Sequence, residues 1–237
     1  MTEKRGFDES HTNEFSRRAK SYEKYNIIQK KVVQKLISSI DSKPKSILDL
    51  GCGTGGVYEL IDWEVDNFIG IDKADQMCIL HPKNKKISLI QGNFDNEQLL
   101  KSLGSFDIVI SSSAMQWTKD LKLLLKNISN ITDKIAFAIF CDGTFKTIYK
   151  ITQLHNFLPS SADVIDSIDK YYTFTHEIKT YKLYFEDNLS KFRYIKKSGV
   201  SGGKKKLSFK ETKNLIENYP LDYLEFEVIF IWGKVKN

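Results

Sequence analysis

The chain holds 237 residues, 41% hydrophobic and 28% charged, with a formal net charge of +6. That length suits one sizeable core carrying a decoration rather than two full domains, and the composition excludes wholesale disorder. The N-terminal stretch is charged throughout, and the longest apolar runs, such as IAFAIF, fall far below the roughly 20 residues of a membrane helix, so the sequence predicts a cytoplasmic protein with no membrane partner.

Residues 14–40 predict an amphipathic helix, with Ile28, Val32, Val33, Leu36, Ile37 and Ile40 at three- and four-residue spacings and Pro44 as its stop. Strand SILDL follows, then the loop GCGTGG, a helix from about residue 55, strand NFIGID, a helix from about 74 and strand ISLIQG. Helix NEQLLKSL, strand FDIVISSS, helix LKLLLKNISNI and strand KIAFAIFC complete the series. Such alternation implies an α/β fold with a doubly wound, Rossmann-like sheet, whose ligands lie at the carboxyl ends of the strands.

Beyond Cys141 the rhythm changes to helix-like FKTIYKITQLHNFL, the mixed segment SADVIDSIDKYY, strand HEIKTYKLYF, helix NLSKFRYIKK and a terminal strand YLEFEVIFIWGKV. Residues 1–142 therefore read as an N-terminal helix and a ligand-binding core. Residues 143–215 read as a helical and mixed cover over the strand ends, and 216–237 as a return strand that completes the sheet.

The loop Gly51-Cys52-Gly53-Thr54-Gly55-Gly56 concentrates four glycines between a strand and a helix. Glycines permit positive φ and let a ligand lie against bare backbone beside free N–H groups. Two ligand classes compete here. Gly51, Gly53 and Gly56 fit a dinucleotide GxGxxG, whereas Gly51, Gly53 and Gly55 fit the GxGxG of S-adenosylmethionine sites, with Cys52 in the same loop. Asp49 favours the second, because a carboxylate there opposes a pyrophosphate and suits an ammonium and a sulfonium.

Asp72, at the end of the second strand, can accept from both hydroxyls of a ribose, which supports a nucleoside of either class. Asn93 can accept from an adenine amino group, and Phe94 can pack on the ring. Ser111, at the fourth strand's end, would sit under a methionine portion, with Gln116 and Trp117 following into the pocket. Cys52, Cys78 and Cys141 are odd in number without CxxC spacing, and His11, His81, His155 and His176 lack ligand spacing, so no disulfide framework or metal is expected.

The order of these pieces resembles the class I S-adenosylmethionine methyltransferase family. FSRRAKSYEKY, SSSAMQWTKDLKLLLKNI, LYFEDNLSKFRYIKKSGVSG and YPLDYLEFEVIF resemble, more narrowly, the malonyl-acyl-carrier-protein O-methyltransferases of biotin synthesis. MQW and LSxFRxIKxxG are the discriminating segments. Asn93 departs from that pattern, which usually has an acidic residue against adenine.

The resemblance implies methyl transfer from S-adenosylmethionine, without a metal, to the free carboxylate of a malonyl thioester on acyl carrier protein. Tyr22 would close the site over the cofactor and offer its hydroxyl to the carboxyl group. A carboxylate desolvated there needs a cation; Arg193 is the candidate, sharing a helical stripe with Leu189 and Lys196 or Lys197. The acidic carrier protein would dock on the basic run, through Lys196, Lys197, Lys204, Lys205 and Lys206. A monomer without a nucleic-acid partner is expected. A methyltransferase of another small acid, or a nicotinamide oxidoreductase, is the rival reading.

Overall fold

The protein is described here by a computed structural model covering residues 25–198 and 207–236. Helix α1 (Ile27–Ser38) leads into β1 (Ser46–Leu50). After it come α2 (Gly56–Glu59), β2 (Asn67–Asp72), α3 (Asp75–Leu80), β3 (Ile87–Gln91), α4 (Glu97–Ser102), β4 (Ile108–Ser112), α5 (Leu121–Ser129) and β5 (Lys134–Phe140). The chain ends with α6 (Lys146–Thr152), α7 (Ser161–Ile168), β6 (Tyr172–Tyr184), α8 (Asn188–Ser198), α9 (Phe209–Asn218) and β7 (Tyr223–Val235).

The strands form one seven-stranded sheet in the order β3-β2-β1-β4-β5-β7-β6. β1 to β5 run parallel, while β7 pairs antiparallel with β5 and β6 antiparallel with β7. A parallel sheet is covered on both faces, which is why β5 is apolar and buried along nearly its whole length. Strand order reverses between β1 and β4, so the crevice beyond their carboxyl ends is where ligand binding is expected.

On one face α1 buries Ile28, Val32, Val33, Leu36 and Ile37 in a cluster with Ile47, Phe68, Ile108 and Phe230. Five such side chains at about 1.5–3 kcal/mol each supply far more than the weak propensity of a helix this short, and Leu36→Ala alone should cost about 2–5 kcal/mol. On the other face Leu100, Leu124, Leu125, Ile128 and Val164 pack against Leu48, Leu50, Val109 and Phe137.

Three expectations are revised by the structure. The predicted 145–158 helix stops at Thr152, because Gln153 turns left-handed at φ 54° and the Asn156 side chain organises the following loop. The mixed segment SADVIDSIDKYY begins as helix α7, capped by Ser160, whose Oγ accepts from the Asp163 amide at 3.0 Å. Finally, the 143–215 segment supplies the sheet's edge strand β6 as well as covering helices. Of the predicted 14–40 helix, the part before residue 25 lies outside the described residues.

A register difference carries two strands past the rest of the sheet. β7 pairs with β5 only from Val228 onward, yet pairs with β6 from Tyr223. Residues 180–184 and 223–227 therefore project past Phe140, at the carboxyl end of β5, and α6, α8 and α9 pack around them. Among the described residues no helix is long and apolar enough to cross a membrane.

Candidate active site

An open cleft lies at the carboxyl ends of β1, β2, β3 and β4. Gly51, Gly53, Asp72, Asn93, Phe94 and Trp117 line it, as expected, and so do Lys73, Met77, Asp95, Ser112 and Ser113.

The glycine loop is held to β2: the Gly51 and Cys52 amides both donate to the Ile71 carbonyl, at 2.8 and 3.1 Å. Gly51 (φ 76°) is required by packing as well as conformation, since a Cβ there would lie 2.2 Å from the Ala114 Cβ. Gly53 (φ 53°) differs: a Cβ there would meet nothing within 4 Å, because its bare face opens on the cleft. A Cβ at Gly56 would meet only Val33 Cγ1, at an ordinary 3.8 Å. The third glycine of a dinucleotide fingerprint exists for close helix packing, so this geometry supports the spacing ending at Gly55, which is left-handed at φ 99°. Helix α2 also has only 4 residues, little dipole to offer a pyrophosphate.

Asp49 is fully buried, and among the described residues neither carboxylate oxygen has a hydrogen-bond partner. Desolvation, reinforced by the charge of Asp72, pushes its pKa well above the usual carboxylate range. Ser113 Oγ and Gln116 Oε1 are also buried without partners, and Gln116 Nε2 donates to the Ser113 carbonyl at 2.7 Å. Ser113 holds a left-handed φ of 64°, a strained conformation for a side-chain-bearing residue. Of Asp49, Ser113 and Gln116 only Ser113 lines the cleft; its hydroxyl beside bare main chain fits a ligand with a polar hydrogen-bonding group.

Asp72 is held by two amides: Oδ2 accepts from Gly53 at 2.9 Å and Oδ1 from Ala74 at 2.8 Å. Burial raises its pKa, and these bonds together with the Lys73 amide oppose the rise. With three amides bound, the carboxylate keeps about one of its four acceptor sites for a sugar hydroxyl. Asn93 Oδ1 accepts from the Asp95 amide at 3.0 Å, leaving it one lone pair. Asp95 itself, which sequence reasoning missed although it lies two residues away, faces the cleft and accepts from the Thr118 hydroxyl and the Lys119 amide.

Several expected residues stand elsewhere. Ser111 is buried and donates to the Leu50 carbonyl at 2.7 Å, tying β4 to β1; Ser112 and Ser113 take its place in the lining. Cys52 turns away from the cleft and lies over Gly70 of β2. Gln116 does not line the cleft but braces Ser113, while Trp117 stacks on Phe157 at 5.3 Å and 17°, bringing the cover onto the cleft wall.

Arg193 and Lys196 do not enter the cleft. Helix α8 buries Lys191, Tyr194, Ile195 and Ser198, spacings of three, one and three residues that mark one helical face and turn Arg193, Lys196 and Lys197 to solvent. Arg193 stands near Asp187 and helps lower its pKa, after the Ser190 hydrogen bonds. Lys197 Nζ lies 5.3 Å over the Tyr25 ring. Tyr22, Lys204, Lys205 and Lys206 lie outside the described residues.

A family model described as a methyltransferase domain matches residues 22–156. Malonyl-[acyl-carrier protein] O-methyltransferase of Bacillus anthracis is 28% identical over 145 residues, which make up 57% of this chain and 54% of that one, so the match spans about half of that relative. The enzyme of the same name from Hamiltonella defensa is 28% identical over 234 residues, 91% of this chain and 89% of the relative. A SAM-dependent methyltransferase from Thermotoga maritima shares the fold at a TM-score of 0.58 and 15% identity, covering 95% of this chain and 100% of that one.

Proposed function

Because the chain belongs to the methyltransferase-domain family, we propose that it transfers a methyl group from S-adenosylmethionine to the free carboxylate of a malonyl thioester borne by acyl carrier protein. The observation that carries the cofactor class is the cleft's own lining: Gly53 bare toward it, the Asp72 carboxylate at its edge, and a Ser113 hydroxyl that has no partner among the described residues. The relatives' shared name supports the substrate; on the resemblance of its segments we assign the chain a place in early biotin synthesis.

When bound, S-adenosylmethionine supplies an electrophilic methyl on a cationic sulfur. We assign Asp49, buried two residues before Gly51 and outside the cleft lining, to balance that positive charge, and the remaining acceptor site of Asp72 to the sugar. Met77 and Phe94 give the cleft an apolar wall for a base, and Asp95 with Asn93 gives it acceptors at the rim. The substrate carboxylate, with a pKa of about 4 in water, is ionised at neutral pH and needs no general base, so orientation and exclusion of water are the chain's main contributions.

Trp117 and Phe157 provide part of that exclusion. We assign the carboxyl contact to the Tyr22 hydroxyl, on the resemblance of its segment. Arg193, Lys196 and Lys197, exposed on one face of α8, are assigned to docking the acidic carrier, together with Lys204, Lys205 and Lys206.

The deciding experiment is a mass measurement on loaded carrier protein. A gain of one methyl on malonyl-loaded carrier, with none on acetyl-loaded carrier, is expected; no gain with S-adenosylmethionine present would overturn the reading. Equal reaction of malonyl-coenzyme A would remove the docking role.

A further inference from the structure

Two of the three cysteines meet at the end of β2. The Cys52 amide donates to the Ile71 carbonyl, while the Cys78 thiol, on α3, donates to the next carbonyl, that of Asp72, at 3.9 Å. Gly70 makes the room: a Cβ there would lie 2.8 Å from Cys52 Sγ. With Cys52 Sγ against Gly70 and Cys78 Sγ against the Asp72 carbonyl, both sulfurs lie at the same end of β2, near enough to perturb each other's ionisation. Cys52 is buried and Cys78 only half-buried, so one sulfur of the pair is open to a small oxidant. Cys141 stands apart on β5's end, buried against the Ile139 carbonyl.

We propose that Cys52 and Cys78 form a reversible disulfide on exposure to peroxide, and that this bond distorts the cofactor cleft. Within the pair Cys52 lowers the pKa of Cys78, while Cys78 and burial raise that of Cys52, so Cys78 is the more acidic sulfur and the one that reacts first. Its thiolate attacks a peroxide oxygen, the O–O bond breaks, and hydroxide leaves and is protonated to water, giving a sulfenic acid. The Cys52 sulfur then attacks: the S–S bond forms, the S–O bond breaks, and the hydroxyl departs with the Cys52 proton as a second water. Each sulfur loses one electron, and the peroxide is reduced to two waters.

The bond requires sulfurs about 2.05 Å apart, closer than two unbonded sulfurs can stand, so the glycine loop and α3 are drawn together. The residue next to Cys52 is Gly53, whose amide holds Asp72 Oδ2, and α3 begins just after Ala74, whose amide holds Oδ1. The movement therefore falls on the carboxylate assigned to the sugar. This consequence rests on the proposed function, whereas the cross-link does not.

The test treats the reduced full chain with hydrogen peroxide, blocks free thiols with N-ethylmaleimide and maps peptides by mass. A Cys52–Cys78 peptide lacking two hydrogens is expected, cleaved by dithiothreitol, with Cys141 left as thiol. Titration with S-adenosylmethionine should show affinity at least tenfold weaker in the oxidised protein, restored on reduction. Cys78→Ser should bind normally and resist peroxide.

Thiols that stay free, or a Cys78 that proceeds to sulfinic acid without linkage, would overturn the proposal. A cross-linked protein that binds as tightly as the reduced one would overturn its effect on the cleft. Failure of the reduced protein to bind S-adenosylmethionine would instead count against the proposed function, with the mass map still deciding the cross-link.

Discussion

Gly53 donates its amide to Asp72 across 19 residues of sequence, at 2.9 Å, so the bare loop and the carboxylate at the end of β2 are one piece of apparatus. Asp72→Asn tests it. An amide side chain has one oxygen, and its NH₂ would face either the Gly53 or the Ala74 N–H. Affinity for S-adenosylmethionine should fall about 10–100-fold, equivalent to roughly 1.4–2.7 kcal/mol, as measured by calorimetry. Unchanged affinity would remove Asp72 from the sugar site.

Gly51 and Gly53 should respond differently to the same added methyl. Gly51→Ala places a Cβ 2.2 Å from Ala114 Cβ at a left-handed φ, and should cost about 2–4 kcal/mol from strain and overpacking combined. At about 2–4 °C per kcal/mol for a chain of this size, the melting temperature should drop visibly. Gly53→Ala carries only the conformational cost, about 1–2 kcal/mol, but intrudes on the cleft, so it should lose binding out of proportion to stability. Parallel losses in both variants would refute the distinction.

Asp49 opposes folding at neutral pH. Its folded pKa is raised by burial, so the native state holds the proton more tightly than the unfolded chain, which titrates near pH 3.9. Its contribution to stability is complete below about pH 3.9 and declines as pH rises through the folded value. Asp49→Asn should therefore melt higher than the parent at pH 7, by an increment that shrinks toward pH 4, while binding S-adenosylmethionine at least tenfold more weakly. A variant less stable at pH 7 would show that this carboxylate is not strained by burial.

The helix and strand periods made the α/β core legible, and β7 matches its predicted run residue for residue because thirteen mostly apolar positions leave no other choice. Asp49, Asp72 and the glycines were legible for a different reason, since each stands at a strand end where backbone chemistry constrains the residue. Arg193 was not. Nothing within NLSKFRYIKK says which side of the helix meets the core, and burial of Lys191, a lysine held by the Asn188 side chain and the Leu221 carbonyl, overrides the obvious polar pattern. Asp95 and Phe157 escaped as well, because loop contacts that join distant segments leave no periodic mark.

His81 supplies a stability transition in acid. It is 2% exposed, its Nδ1 bonds the Pro82 carbonyl, and its Nε2, buried against Gly55, has no partner among the described residues. The Tyr58 and Phe68 rings flank it. Desolvation depresses its pKa, opposed by the Pro82 carbonyl and the charge of Glu59. The unfolded chain thus takes up a proton near pH 6.5 that the folded one resists, and stability, complete above that pH, should fall by up to about 1.4 kcal/mol per pH unit below it. Urea midpoints from pH 7.5 to 5 should diverge between the parent and His81→Gln; parallel curves would refute the assignment.

Arg193 shares the exposed face of α8 with Lys196 and Lys197, and this placement separates docking from catalysis. A charge at the rim of an interface acts chiefly on encounter, and its effect is screened over about 8 Å at physiological salt. Arg193→Ala should therefore raise KM for malonyl-loaded carrier severalfold at low salt, leave kcat nearly unchanged, and lose most of its effect by 0.5 M sodium chloride. A small malonyl thioester should react at the same rate with both proteins. If kcat fell a hundredfold on both substrates regardless of salt, Arg193 would have to turn inward in the working enzyme, against the packing that buries Tyr194 and Ile195 on the opposite side of α8.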